Sequence, residues 1–228
     1  MSKFRSAVII CTRNRPLVLD RTLQSVADQK GASHRLVMVV DASDAPEAHH
    51  VEQIVSSLRS AGLPAQYHAY GGSPSAARQR NHGVDQLPDT VEVVHFIDDD
   101  VTLRPDYFDA LTSVLRSKPD VGGVGGLILE PERTTTPTWR RLLKRVFFLD
   151  HPVDGRILPS GWTTSAQLAG SVPDDESLRS TEWLSGCSSS YRRSLFEHHR
   201  FDKALEGYSM LEDLDFSYRV GQETRLLV

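Results

Sequence analysis

The chain has 228 residues, 39% of them apolar and 25% charged, enough for one sizeable buried core in a single domain. A formal net charge of −4 and a pI near 6.1 exclude a global basic footprint for nucleic acid. Cys11 and Cys187 lie far apart without CxxC or Cys/His spacing, which argues against a zinc site or disulfide framework and fits a reducing, cytoplasmic setting.

Ser6 to Cys11 is a continuous apolar run of strand character, the pattern of a strand buried on both faces. The stretch before it is too short for a signal peptide, and no window approaches the roughly 18 apolar residues of a spanning helix. After Thr12-Arg13-Asn14-Arg15-Pro16, the spacing of Leu17, Leu19, Thr22, Leu23 and Val26 predicts a helix with Pro16 in its first turn. Arg35 to Val40 repeats the strand signature, ends in Asp41-Ala42-Ser43-Asp44, and leads to a helix over Pro46 to Leu58. Ala65 to Tyr70 reads as a third strand. Gly71-Gly72-Ser73-Pro74 then introduces a helix from Ser75 to Gln86 that carries Arg78, Arg80 and Asn81.

Val93 to Ile97 is a fourth strand that stops in Asp98-Asp99-Asp100, and a helix over Pro105 to Arg116 follows. Val121 to Leu129 reads as a strand whose glycine pairs mark bulges or close backbone approach. Trp139 to Leu149 is basic and amphipathic, suited to a helix packed on its own domain or to a membrane surface. Pro152 to Glu176 reads as an excursion or loop. Thr181 to Ser190 predicts a short strand, Tyr191 to Phe196 a helix, and Glu212 opens a last helix with an Asp215–Arg219 i,i+4 pair.

Three adjacent carboxylates repel one another, so the triplet is either a solvated turn or a site for a cation or hydrogen-bonding ligand. The alternation of strand, polar loop and helix predicts an α/β sandwich with a largely parallel sheet. In such sheets ligands bind outside the carboxyl ends of the strands. Thr12 to Arg15, Asp41 to Asp44, Gly71 to Arg78 and Asp98 to Asp100 all fall on that rim, which favours the ligand site.

Taken together, Thr12-x-Asn14-Arg15, Asp41 with Ser43, the run from Gly72 to Gly83, the Asp98-Asp99-Asp100 triplet, Trp183-x-x-Gly186 and Glu212-Asp213 resemble the family-2 inverting glycosyltransferases of the GT-A fold. The resemblance covers nearly the whole chain except about Glu132 to Ser180. It implies a three-layer α/β/α sandwich around a mostly parallel mixed sheet. Residues 1–117 would form the nucleotide-sugar half and 118–228 the acceptor side. It also implies a donor of the UDP, GDP or dTDP type, a saccharide or lipid-linked acceptor, a place in polysaccharide biosynthesis, and peripheral association with the inner face of the membrane.

On this resemblance Asp100 holds Mg²⁺ or Mn²⁺, hard cations that suit oxygen ligands and neutralise the diphosphate. Asp98 faces the ribose and nucleotide, with Asp99 a further participant. Asp41, with Ser43, matches the position that hydrogen-bonds the nucleobase, Thr12, Asn14 and Arg15 match the loop around the base and ribose, and Arg78 matches an arginine that reaches toward the nucleotide. Asp213 matches the general base and Glu212 its neighbour, which orients the acceptor or supports the loop. Trp183 and Gly186 match the acceptor and sugar pocket, although Trp183 equally suits a core position.

His198-His199 precedes Glu212, so a downstream histidine ligand known in such enzymes is not carried over. The chain ends at Val228, where members of that family usually continue, which implies a truncated or unusually compact acceptor side. Two other readings are a non-catalytic nucleotide-sugar-binding subunit and a sugar nucleotidyltransferase. The second would need a glycine-rich loop after the first strand, and Cys11-Thr12-Arg13-Asn14-Arg15 has no glycine.

Overall fold

The computed structural model describes residues 6–31, 35–129, 144–147, 149–169, 178–205 and 211–228. Its first half alternates β1 (Ser6–Thr12), α1 (Pro16–Ala27), β2 (Arg35–Asp41), α2 (Ala45–Ser60), β3 (Ala65–Ala69), α3 (Ala76–Asp85), β4 (Val93–Asp98) and α4 (Tyr107–Ser117). Then come β5 (Val121–Gly125), β6 (Ile128–Leu129), β7 (Leu168–Ala169), β8 (Ser180–Thr181), β9 (Ser188–Arg192), a 3-10 turn (Arg193–Glu197), α5 (Glu212–Gly221) and β10 (Arg225–Leu227). An eight-stranded sheet runs β3-β2-β1-β4-β9-β5-β10-β8, parallel from β3 to β4, with β9 antiparallel to both its neighbours.

The continuous apolar strands follow from two covered faces. Along β1, Ala7 and Ile9 join the cluster of Ala77, Val84, Phe216 and Val220 under α3 and α5. Val8 and Ile10 join Leu19, Leu23, Val51 and Val55 under α1 and α2. Period-two alternation thus feeds two cores from one strand, and each fully buried Val, Leu or Ile contributes about 1.5–3 kcal/mol. The result is the expected three-layer α/β/α sandwich with a mostly parallel sheet.

Several elements depart from the sequence reading. Leu17 is 77% exposed while Leu19, Leu23 and Val26 are buried, because two positions along a helix are about 200° apart around it. The predicted strand from Val121 to Leu129 splits after Gly125, and Ile128–Leu129 pairs with β7 instead. A Cβ on Gly123 would lie 2.8 Å from the Tyr191 ring, so glycine lets β5 close against β9. Tyr191 extends strand β9 instead of opening a helix, because its ring packs with Phe96, Phe196 and Phe216. Arg192 follows it and caps the end of α4 by donating to the carbonyls of Leu115, Lys118 and Val121. β10, which the sequence reading did not anticipate, adds in parallel to β5.

The excursion after Pro152 is partly built into the fold: Ile157 bridges Thr163, and Gln167 is 1% exposed. In the amphipathic stretch from Trp139 to Leu149, residues 139–143 and 148 lie outside the described residues. Val146 and Phe147, at 66% and 62% exposed, do not show the packing expected of a helix on its own domain.

Candidate functional site

The chain runs from β1 outward to β2 and β3, then returns to place β4 on the other side of β1. The crevice outside the carboxyl ends of β1 and β4 is therefore the topological switch point, where open α/β sheets bind ligands. Thr12 ends β1, Asp98 ends β4, and Cys11 stands opposite Asp98 in the register.

The three aspartates of the triplet have different surroundings. Asp99 is wholly buried: it accepts from Thr12 Oγ1 at 2.6 Å and from Arg15 Nη2 at 2.5 Å, while its carbonyl accepts from Thr22 Oγ1 at 2.7 Å. It pins the loops after β1 and β4 together and does not face the crevice as a nucleotide contact would. Burial raises the Asp99 carboxyl pKa, against the opposing pull of the Thr12 hydroxyl and of Arg15. Asp99→Ala should lower stability by about 1–3 kcal/mol, since the buried Thr12 hydroxyl loses its acceptor. Urea unfolding followed by circular dichroism measures this.

Asp100 keeps 53% of its side chain exposed and meets Arg15 Nη1 at 3.4 Å. Asp98 keeps 44% exposed and lies 3.4 Å from Arg80 Nη2. Burial raises the Asp98 pKa, opposed by Arg80 and reinforced by Asp100 and Asp213. Two open carboxylates that crowd one another fit a hard divalent cation, which would favour their charged forms. Among the described residues no group of three or more His, Cys, Asp or Glu side chains is arranged to hold a metal by itself. A sparse set is no objection to Mg²⁺, which typically takes one or two protein carboxylates and completes its shell with phosphate oxygens and water.

The loop after β1 is sewn to the loop after β2. Asn14 adopts φ +55°, which asparagine tolerates better than most residues. Its N–H donates to Ser43 Oγ at 2.7 Å, Nδ2 donates to Asp44 Oδ2 at 2.8 Å, and Oδ1 accepts from the Asp44 N–H at 2.8 Å. Asp41 is 2% exposed, accepting from the N–H and hydroxyl of Ser43 and from Tyr67 OH at 3.1 Å. Its carboxylate shapes this loop from below. From α3, Gln79 donates to the carbonyls of Thr12 and Val40, tying the ends of β1 and β2 to the helix.

At the other side of the crevice α5 begins with Glu212 and Asp213. Glu212 is 7% exposed and accepts from Arg80 Nη1 at 2.7 Å, so it supports the loop and does not reach outward. Asp213 Oδ2 accepts from the Gly186 N–H at 2.7 Å, and Oδ1 accepts from the Leu214 N–H at 2.8 Å. The Trp-x-x-Gly segment and the Glu-Asp pair are thereby joined. Trp183 itself is half-buried, and its indole donates to the Thr164 carbonyl at 2.9 Å, holding the hairpin around Ile157 and Thr163. Arg78 donates to the Lys203 carbonyl at 3.2 Å.

Sequence reasoning passed over Arg80 in favour of Arg78. The signal was present: Ala77, Arg80, Asn81 and Val84 recur at i, i+3, i+4 and i+7, and all four are buried on one face of α3. Burial pulls the Arg80 pKa down, but Asp98, Glu212 and Asp213 outweigh it and hold the guanidinium charged. Cys11 beside it is pushed up to about 12 by burial, which leaves it a neutral thiol.

A family model described as glycosyltransferase like family 2 matches residues 5–220. An N-acetylglucosaminyl-diphospho-decaprenol L-rhamnosyltransferase of Mycobacterium tuberculosis is 28% identical over 209 residues, covering 76% of this chain and 66% of the relative. The chain thus spans about two thirds of that relative's length. Mannosyltransferase PcManGT from Pyrobaculum calidifontis, solved with GDP-Man and Mn²⁺, superimposes with a TM-score of 0.65 at 17% identity over 97% of this chain and 53% of its own. S. aureus TarS 1-349 with UDP-GlcNAc gives 0.66 at 17% identity, over 98% of this chain and 55% of its own. GalNAc-T7 with UDP, GalNAc and Mn²⁺ gives 0.68 at 14% identity, over 97% and 41%. These likenesses speak for the fold, which is that of the GT-A glycosyltransferases.

Proposed function

The chain belongs to glycosyltransferase-like family 2, and from that premise we propose that it transfers a sugar from a nucleoside diphosphate donor to an acceptor hydroxyl, with inversion, in one metal-assisted displacement. One observation carries this reading. Arg80 brings the end of β4, with its open carboxylates, and the start of α5, with Asp213, into a single ion-pair cluster at the switch-point crevice.

In this reading the donor lies along the rim between Thr12 and Asp98, and the loop formed by Asn14, Arg15, Asp41 and Ser43 frames its nucleoside. The side chain of Arg15 is 51% exposed, so its guanidinium can meet the diphosphate while Asp99 holds it in place. Asp100, with Asp98 beside it, would hold Mg²⁺ or Mn²⁺, which when bound neutralises charge on the diphosphate leaving group. Asp213 takes the proton of the acceptor hydroxyl. Each of its oxygens accepts one backbone N–H, which fixes the carboxylate and leaves lone pairs for the incoming O–H.

The relative's name refers to a diphospho-decaprenol-linked sugar. A saccharide carried on a lipid diphosphate is accordingly the acceptor class proposed for this chain. No helix among the described residues is long and apolar enough to cross a membrane. Exposed Val146 and Phe147 beside Lys144 and Arg145 support contact with the membrane surface. Proton NMR of the product decides the stereochemistry. Inversion requires the anomeric configuration opposite to that of the donor, and a product of retained configuration would contradict the single displacement.

A further inference from the structure

Arg80 lies on the buried face of α3 and reaches three separate segments of the crevice. Nη1 donates to Glu212 at 2.7 Å, and Nη2 stands 3.4 Å from Asp98. Its guanidinium also sits 5.4 Å from the centre of the Phe201 ring. A Cβ added to Gly186 would fall 2.5 Å from Nη2, so the glycine leaves room for the guanidinium. Gly186 in turn donates its N–H to Asp213. One planar group therefore touches the end of β4, the first residue of α5 and the glycine that holds the proposed base.

The geometry points to Arg80 as a positioning residue that locks the donor side of the crevice to the acceptor side; this rests on the glycosyl-transfer reading above. It acts through Glu212, Asp98 and Gly186, setting where Asp213 stands relative to Asp100. Arg80 and Glu212 are 5% and 7% exposed, so their pair is little screened by water. The guanidinium fork serves Glu212 and Asp98 with different nitrogens at once, whereas a lysine ammonium offers a single nitrogen on a flexible stem. Freed from the fork, the first turn of α5 can shift. A misplacement of about 1 Å is enough to cost on the order of a hundredfold in rate.

Two variants test this from opposite directions. Arg80→Lys keeps the charge and removes the fork, while Gly186→Ala keeps the fork and crowds it off its seat. Thermal melting, the donor Kd by calorimetry with Mn²⁺, and kcat are measured for both. Both variants should melt within a few degrees of the wild type, and kcat should fall by about a hundredfold, well beyond any rise in the donor Kd. A kcat within about threefold of the wild type in both variants would overturn the proposal, as would a kcat loss that disappears at temperatures where both variants are fully folded. If the wild type binds donor but neither transfers sugar nor hydrolyses donor in an Asp213-dependent way, the glycosyl-transfer reading fails and this role fails with it.

Discussion

Asp213→Asn should reduce sugar transfer by about a thousandfold and leave donor binding within about twofold of the wild type. The geometry makes this a clean substitution. The carbonyl oxygen of the introduced amide can keep one of the two backbone hydrogen bonds that Asp213 accepts from Gly186 and Leu214. The amide NH₂ then faces the other backbone N–H, which loses its acceptor at a cost of about 1–3 kcal/mol, too little to unfold the domain. What disappears is a carboxylate able to take a proton, because an amide is not a base at neutral pH. The measurement is release of nucleoside diphosphate with and without acceptor, alongside calorimetric titration of the donor. A variant that still transfers sugar within about tenfold of the wild type would remove Asp213 from the role of base.

Asp100→Ala should weaken metal-dependent donor binding by at least about a hundredfold while leaving the fold in place. Asp100 is the most open member of the triplet, and Arg15 at 3.4 Å is the partner it meets. Its removal therefore costs little packing, in contrast to Asp99, whose buried carboxylate ties Thr12 to Arg15. The two neighbouring substitutions should separate by assay: Asp99→Ala shows in unfolding and Asp100→Ala in binding. Calorimetric titration with Mn²⁺ and with a chelator reads the second directly. Loss of binding that is the same with and without metal would show that Asp100 matters for reasons other than the cation.

The architecture of the first half was readable because its determinants are local. Continuous apolar runs such as Ser6 to Cys11 demand two covered faces, and the polar clusters at their carboxyl ends share a rim in any parallel sheet. The second half was less readable because its pairings are distant in sequence. β9 inserts antiparallel between β4 and β5, and β10 is only three residues long, so neither has a local signature strong enough to set its place.

Within the site, residue types were easier to select than their directions. Nothing in Asp98-Asp99-Asp100 itself says that the middle carboxylate turns inward. The Thr12 hydroxyl and the Arg15 guanidinium, both from the loop end of β1, decide it. Trp183 read equally well as pocket or core; it is half-buried, and its indole N–H donates to the Thr164 carbonyl of the neighbouring hairpin. Arg80 could have been found from its helical spacing with Ala77, Asn81 and Val84. Its partners could not, because Glu212 lies 132 positions further along the chain.

The central claim is a division of labour between two ends of one crevice, with donor and cation on the triplet and proton removal at Asp213. Donor titrations of the wild type, Asp100→Ala and Asp213→Asn, each with UDP, GDP and dTDP sugars in the presence and absence of Mn²⁺, test it most directly. Metal-dependent binding of one nucleotide class by the wild type and by Asp213→Asn is expected, together with its loss in Asp100→Ala. Equal loss of binding in both variants, or metal-independent binding that survives Asp100→Ala, would contradict it.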